Sequence, residues 1–439
     1  MAYKAENLAH KVNETGISSH HERDQAAATV PATLAQNSAA DMQDINITED
    51  HMPVHTRRLI AAAAAATFGF VSFSAQAAAP TFAAPAHYAV GGLGGGSVHT
   101  DAVAAGDFNG DGYPDLVSAD YYSGLGPRVM LNNGNGTFQA PGTVVTLQPL
   151  VGVVDSADLN GDGKDDLIAT NAGSIWVLLS NGNGTFTQSW NVTEFQGGQE
   201  GVELADVNGD GKLDLGVQLR YGVKTYLGNG NGSFGTGVLT VVPDPTLSSF
   251  VYSDINNDGT LDMVLSLAFI GQSILTYLGN GDGSFTFNSL GVAPLVPGDV
   301  MVTDTDGDGK KDVVVLAEFS PTQNILVFKG NGTGGFTNPL TPARYNGGYF
   351  TGNAGMADFN NDGIQDVVIP DVTSQRVTVI IGDGNGGFTA GSSTSGVLIP
   401  QGPAVADFNQ DGKLDIAVQG LTSIFNPASR LSVIRNTTP

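Results

Sequence analysis

The chain contains no cysteine, which excludes disulfide frameworks, thiolate nucleophiles and cysteine-ligated zinc. Stability has to come from packing or from a bound metal. Positive charge is scarce: 18 Lys and Arg stand against 43 Asp and Glu, a formal net charge of −25. Nucleic-acid backbones and anionic lipid surfaces are therefore repelled. Catalytic residue types are thin. From Ala78 onward there are two histidines, His87 and His99, and four glutamates, Glu194, Glu200, Glu203 and Glu318. They form no Ser-His-Asp set and no metal-binding cluster of their own. A membrane-length apolar run is missing too, because the run from Leu59 to Phe73 falls short of the roughly 20 residues a bilayer needs.

That short run has another reading. Arg57 and Arg58 precede it and Ala75-Gln76-Ala77 follow it, the basic, apolar and small-x-small order of a secretory signal. Residues 52–77 are expected to be that signal, and the expected compartment is secreted, periplasmic or cell-surface. Residues 1–51 are polar and aperiodic, and are expected to be a disordered leader or a mis-assigned start, with Met52 the true one. No membrane span is expected after cleavage, and the mature protein, 78–439, is expected to be monomeric.

What the chain has in quantity is glycine, 60 residues, and a repeat. Asp107-Phe108-Asn109-Gly110-Asp111-Gly112-Tyr113-Pro114-Asp115 recurs from Asp158, Asp206, Asp254, Asp304, Asp358 and Asp407, at spacings of 51, 48, 48, 50, 54 and 49 residues. Each copy leads into a β-rich run such as Val313-Val314-Val315. A second run follows, which ends in a Gly/Asn turn and Phe138, Phe186, Phe234, Phe285, Phe336 or Phe388. Asn-Gly between apolar runs is a hairpin signal. A unit of about four strands is a propeller blade, and seven units fit the usual blade numbers. A solenoid is the alternative, and the ends distinguish them, since a propeller must close its ring. The seventh unit stops before its last turn, while Pro80-Thr81-Phe82-Ala83-Ala84-Pro85 matches Gly136-Thr137-Phe138-Gln139-Ala140-Pro141. The expected fold is an all-β, seven-bladed β-propeller of four-stranded blades. Residues near 81–90 complete the last blade beside Leu431 to Ile434, which removes exposed strand edges.

The repeated loop has the composition of a calcium site. A hard divalent cation takes six to eight oxygens, and alternate positions of a loop that bends sharply at a glycine can point theirs inward. The expected ligands are Asp107, Asn109, Asp111 and Asp115 in the first copy, and Asp158, Asn160, Asp162 and Asp166 in the second. The third and fourth offer Asp206, Asn208, Asp210, Asp214, and Asp254, Asn256, Asp258, Asp262. The fifth offers Asp304, Asp306, Asp308 and Asp312, the sixth Asp358, Asn360, Asp362 and Asp366, and the seventh Asp407, Asn409, Asp411 and Asp415. The seventh position of each loop would add its backbone carbonyl. Metal-free turns are the plain alternative, since Asp, Asn and Gly all favour turns. Turn chemistry explains neither three carboxylates per loop nor their fixed spacing. An EF-hand is excluded by Ser118 and Ala169 at the twelfth position, where it needs Glu. From Ala78 onward the net charge is −22, and up to seven calcium ions would bring it to about −8, ordinary for a soluble protein.

These units resemble the FG-GAP/VCBS repeats of bacterial secreted proteins and of the integrin α-subunit propeller, over residues 82–439. The resemblance implies calcium in the loops between the first and second strands of each blade, on the face opposite the usual ligand face. All seven loops are complete here, unlike in integrins, so integrin-type partner recognition does not carry over.

The expected function is a binding or adhesion module for glycans or cell-surface proteins, not an enzyme. Candidate ligand contacts are Tyr121, Tyr122, Tyr345 and Tyr349, in loops opposite the calcium face, where a flat ring with a polar tip suits a sugar or a protein. Packing between blades is the plain reading of the same rings. The second functional reading is a calcium-dependent lyase or glycosidase using Glu200 and Glu203, whose ordinary role would be solvated surface. A purely structural scaffold is the third.

Overall fold

The computed structural model describes residues 78–90, 103–118, 127–143, 152–171, 173–193, 201–242, 247–268, 272–317, 325–336, 354–421 and 429–439. The leader, 1–51, and the signal segment, 52–77, lie outside the described residues. Among the described residues every regular element is a β-strand, and no helix is long and apolar enough to cross a membrane.

The strands form seven antiparallel sheets, one per repeat, and each interior sheet takes its strands in chain order. The first is Val103–Gly106, Asp115–Ser118, Arg128–Met130 and Gly142–Thr143. Five further sheets follow this plan, and the fifth shows three strands among the described residues, with Phe336 bridged to Gly330. The seventh joins the two ends of the chain: Leu398–Ala406, Asp415–Leu421 and Ser429–Ile434 are completed by Ala86–Ala89. Ala86 lies opposite Val433 and Tyr88 opposite Leu431, and Phe82 bridges Asn436. Among the described residues, first strands of successive blades touch at six of the seven seams, including Leu398–Ala406 against Val103–Gly106. The molecule is a seven-bladed β-propeller.

Sequence pattern follows position in the blade. Middle strands such as Asp312–Ala317 and Ile325–Phe328 are buried along their whole length, because both faces meet a neighbouring blade; they read as continuous apolar runs. Fourth strands such as Phe186–Thr193 are buried at Phe186 and alternate outward beyond it.

The core is correspondingly divided into seven hydrophobic clusters, each lying between two successive blades. The cluster between the seventh and first blades holds Phe408, Ala417, Leu431 and Val433 with Leu116, Met130 and Phe138. A recurring edge-to-face pair marks these seams: Phe138 on Phe408 at 5.5 Å, Phe186 on Phe108 at 5.5 Å and Phe82 on Phe359 at 6.1 Å. In each pair the aromatic at or just before the start of one blade's last strand covers the second position of the preceding blade's aspartate loop. Truncating fully buried Phe108 to Ala would cost about 3–5 kcal/mol at such a seam.

Candidate metal centres

All seven aspartate loops join the first strand of a sheet to the second, and all do so in one hydrogen-bonded conformation. The first-position aspartate folds the loop around itself. Its Oδ2 accepts the N–H of the sixth-position glycine at 2.7–2.9 Å in every copy, as Asp107 does from Gly112. That glycine has φ between 79° and 87° in all seven, a region a side chain would strain. The fifth-position Oδ1 accepts the seventh N–H at 2.8–3.1 Å. The third-position oxygen accepts the fifth N–H at 2.8–3.2 Å.

The ninth aspartate does something the sequence did not announce. It is 0–1% exposed in every copy and brackets the two turns of its blade. Oδ2 accepts the second-position N–H at 2.9–3.2 Å. Oδ1 accepts, at 2.7–3.0 Å, the N–H of the residue at the end of the third strand, Asn132 in the first blade and Asn436 in the last. A carboxylate has about four lone-pair sites, so two amide bonds leave room for a cation.

Burial is the main force on these carboxyls. It pushes Asp115, Asp366 and Asp415 up to about 7, and Asp166, Asp214 and Asp262 up to about 6. The two amide bonds oppose the shift, and the first and fifth aspartates of the same loop add repulsion. Asp358, a first-position residue, is raised by burial as well. A divalent cation is the species that would stabilise such a set ionised. The residues therefore fit calcium: hard oxygen donors, a turn glycine and desolvated negative charge in six of the loops, the fifth having Lys329 against Asp306 and Asp312 as well. When bound, the ion would be held by the first, third, fifth and ninth side chains and would neutralise charge that otherwise repels.

Neighbouring loops are also tied to each other. Where the fourth position is not glycine, it keeps a left-handed conformation, with φ of 61° at Asn257, 57° at Asn361 and 56° at Gln410. Each of these amides donates to the sixth-position carbonyl of the next loop: Asn257 to Gly309 at 3.0 Å, Asn361 to Gly412 at 3.3 Å and Gln410 to Gly112 at 2.7 Å. Asp165 supplies a fourth tie, accepting the Asp107 N–H at 2.7 Å.

The other expected residues are scattered. Tyr121, Tyr122, Tyr345 and Tyr349 lie outside the described residues, as do Glu200 and His99. Glu203 is not solvated surface as expected. It is 9% exposed on the first strand of the third blade, Val202–Ala205, opposite Gly216. His87, on the strand that joins the chain ends, lies 3.0 Å through Nδ1 from Ser432 Oγ.

Seven blades with an acidic loop after every first strand define a repeat propeller of the FG-GAP type. The chain belongs to that family: the model of the FG-GAP-like repeat matches residues 107–157, 158–217, 304–369 and 358–418, together more than half of the chain. No curated protein sequence matches the chain. Among solved structures it is similar to an Agrocybe aegerita lectin described as specifically recognising non-reducing terminal N-acetylglucosamine, at 20% identity and a TM-score of 0.50, over 72% of this chain and 90% of the lectin. It is also similar to BBS1N in a complex with ARL6DN, at 11% identity and a TM-score of 0.51, over 82% and 97% of the two chains. A protein from Lactobacillus plantarum aligns at 16% identity and a TM-score of 0.50, over 68% and 86%. At these identities the likeness is one of fold.

Proposed function

We propose that the chain is an exported, calcium-binding β-propeller that acts as a binding module for glycans or cell-surface proteins. One observation carries this reading. The connection between first and second strands is eight residues long in all seven blades, whereas the connection between second and third strands, at the opposite end, runs to nine, two, two, five, seven, four and seven residues from the first blade to the last. Loops of one length and nearly one composition suit one repeated task, the holding of a positive charge, and in most of them that charge is an ion. Loops that vary on a rigid frame are where recognition is built. The lectin and the ARL6DN-bound propeller, which bind a sugar and a protein respectively, support the class of activity.

A glycan and extracellular-matrix array, probed with residues 78–439 in calcium and in EDTA, tests the proposal. Binding is expected in calcium and weaker in EDTA. Tyr→Ala changes at Tyr121, Tyr122, Tyr345 and Tyr349 are expected to weaken it with little effect on Tm. Binding that survives all four substitutions removes that site, and polysaccharide turnover lost in Glu203→Gln would replace the binding module with an enzyme.

A further inference from the structure

The fifth loop departs from the other six at three positions that meet in space. Its third position is Asp306, where the others have Asn; its second is Thr305, where the others have Phe, Leu, Val or Ile; and the residue ending its third strand's approach to the turn is Lys329. Leu131, Leu179, Leu227, Leu278 and Ile381 occupy the place of Lys329 in five other units, and Arg435 does so in the seventh, whose loop keeps Asn409. The extra acid and the lysine have found each other. Lys329 Nζ is bonded to Asp306 Oδ2 and lies 3.4 Å from Asp312 Oδ2 and 3.5 Å from Thr305 Oγ1. Thr305 Oγ1 donates to the same Asp312 oxygen. Asp312 is 1% exposed at its side chain and Lys329 15%, so the ammonium is held against the carboxylates rather than in water. Carboxylate oxygens of Asp304, Asp306 and Asp312 lie within 4.8 Å of one another, and the ammonium pairs with the last two.

We infer that Lys329 is the built-in cation of the fifth loop, and that this loop takes no divalent ion while the other six do. The inference rests, for those six, on the calcium reading above. The ammonium occupies the third- and ninth-position carboxylates, half of the side-chain ligand set. A calcium ion on the remaining oxygens would sit beside a positive charge that shares its ligands. To admit the ion, Lys329 would have to leave Asp306, an acid that stands where the other six loops have Asn. The fifth blade thus obtains by covalent connection the neutralisation that its neighbours take from solution, and keeps it at any calcium concentration.

The test is the calcium content of the full chain, measured by elemental analysis after dialysis against calcium, for the unaltered protein, Lys329→Leu and Lys329→Leu with Asp306→Asn. The double variant restores the Leu and Asn of the other units, so it guards against a failure to fold. Both variants are expected to hold one more ion per chain than the unaltered protein. Seven ions in the unaltered protein, or a non-zero count that neither variant raises, overturns the inference. No ion in any of the three removes the calcium reading instead. In that case Tm decides the role of Lys329: a fall in Lys329→Leu that Asp306→Asn partly restores supports an internal cation, and an unchanged Tm rules it out.

Discussion

In the first blade, the nine residues from Asp107 to Asp115 and the five from Asn133 to Thr137 turn the chain at the same end of the sheet with the same devices. Both use glycines at positive φ, Gly110 and Gly112 in one and Gly134 and Gly136 in the other. Both use side-chain oxygens that accept an N–H two residues on, Asp111 from Tyr113 at 2.9 Å and Asn135 from Thr137 at 3.0 Å. Yet the shorter turn works with neutral Asn, closed by Asn133 N–H to the Thr137 carbonyl at 2.8 Å, whereas the longer one carries three carboxylates. Reversing the chain therefore does not require charge. Asp107 and Asp115 each use both oxygens on backbone N–H groups, so what calls for a cation is not spare carboxylates but three that meet in one loop, the buried one repelled by the other two.

Removing the cation should separate the two turns most strongly. A site held at about 100 times its Kd adds about 2.7 kcal/mol, so EDTA acting on several loops is expected to lower Tm by many degrees. Its size should depend on pH. Burial places Asp115 at about 7 and Asp166 at about 6 in the folded chain, above the unfolded value near 4. Between those values the folded state binds more protons than the unfolded one, so metal-free protein should gain stability as pH falls from about 7 towards 4. With calcium the trend should reverse, because the ligands must be ionised. Scanning calorimetry at pH 5 and 8, with calcium and with EDTA, checks both signs. A Tm unmoved by EDTA, with no calcium on the protein, would return the long loop to the status of the short one.

Next in size is the bracket. Asp115→Ala leaves the buried Asn132 N–H without its acceptor, at about 1–3 kcal/mol, and the Phe108 N–H with the Gly106 carbonyl at 3.1 Å in place of two acceptors. Asn135→Ala, in the exposed short turn, should cost about 0.5–1.5 kcal/mol. Urea denaturation of the pair measures the gap, and equal losses would deny the ninth aspartate its special place. The smallest effect is the most discriminating. Asp111→Asn keeps the oxygen that accepts from Tyr113 and removes one charge, so Tm in EDTA should stay within about 1 kcal/mol equivalent of the parent while Tm in calcium falls. A turn without an ion predicts no difference between the two conditions.

The repeat made the blade count, the all-β class and the position of the acidic loops legible, because a nine-residue pattern in seven copies leaves little choice of register. The double role of the ninth aspartate was not legible, since its second partner lies at the end of the third strand, 14 to 21 residues on, and spacing to a backbone N–H leaves no mark in side-chain identity. Lys329 did leave one, a basic residue where five units have Leu or Ile, but it gains meaning only beside Asp306. The burial of Glu203 was hidden because a lone acid upstream of a loop looks the same whether its strand lines the ring or faces water.

The pairing of Ala86–Ala89 with Ser429–Ile434 has a mechanical consequence. The two segments run antiparallel, and the Phe82–Asn436 bridge and the hydrogen bond from Thr437 N–H to the Thr81 carbonyl at 2.7 Å sit at the end where both chain directions leave the sheet. Tension applied between residues 78 and 439 is thus delivered to one pair of bonds at a time, peeling the seam open like a zip. Shearing would load every bond of the strand pair together. A ring fastened in this way resists heat as a whole but yields to a pull on its ends at low force, beginning with the seventh blade. Optical-tweezers traces with handles at those two positions should show a first, weak rupture that releases the 86–89 strand, and a first rupture in an interior blade would contradict it.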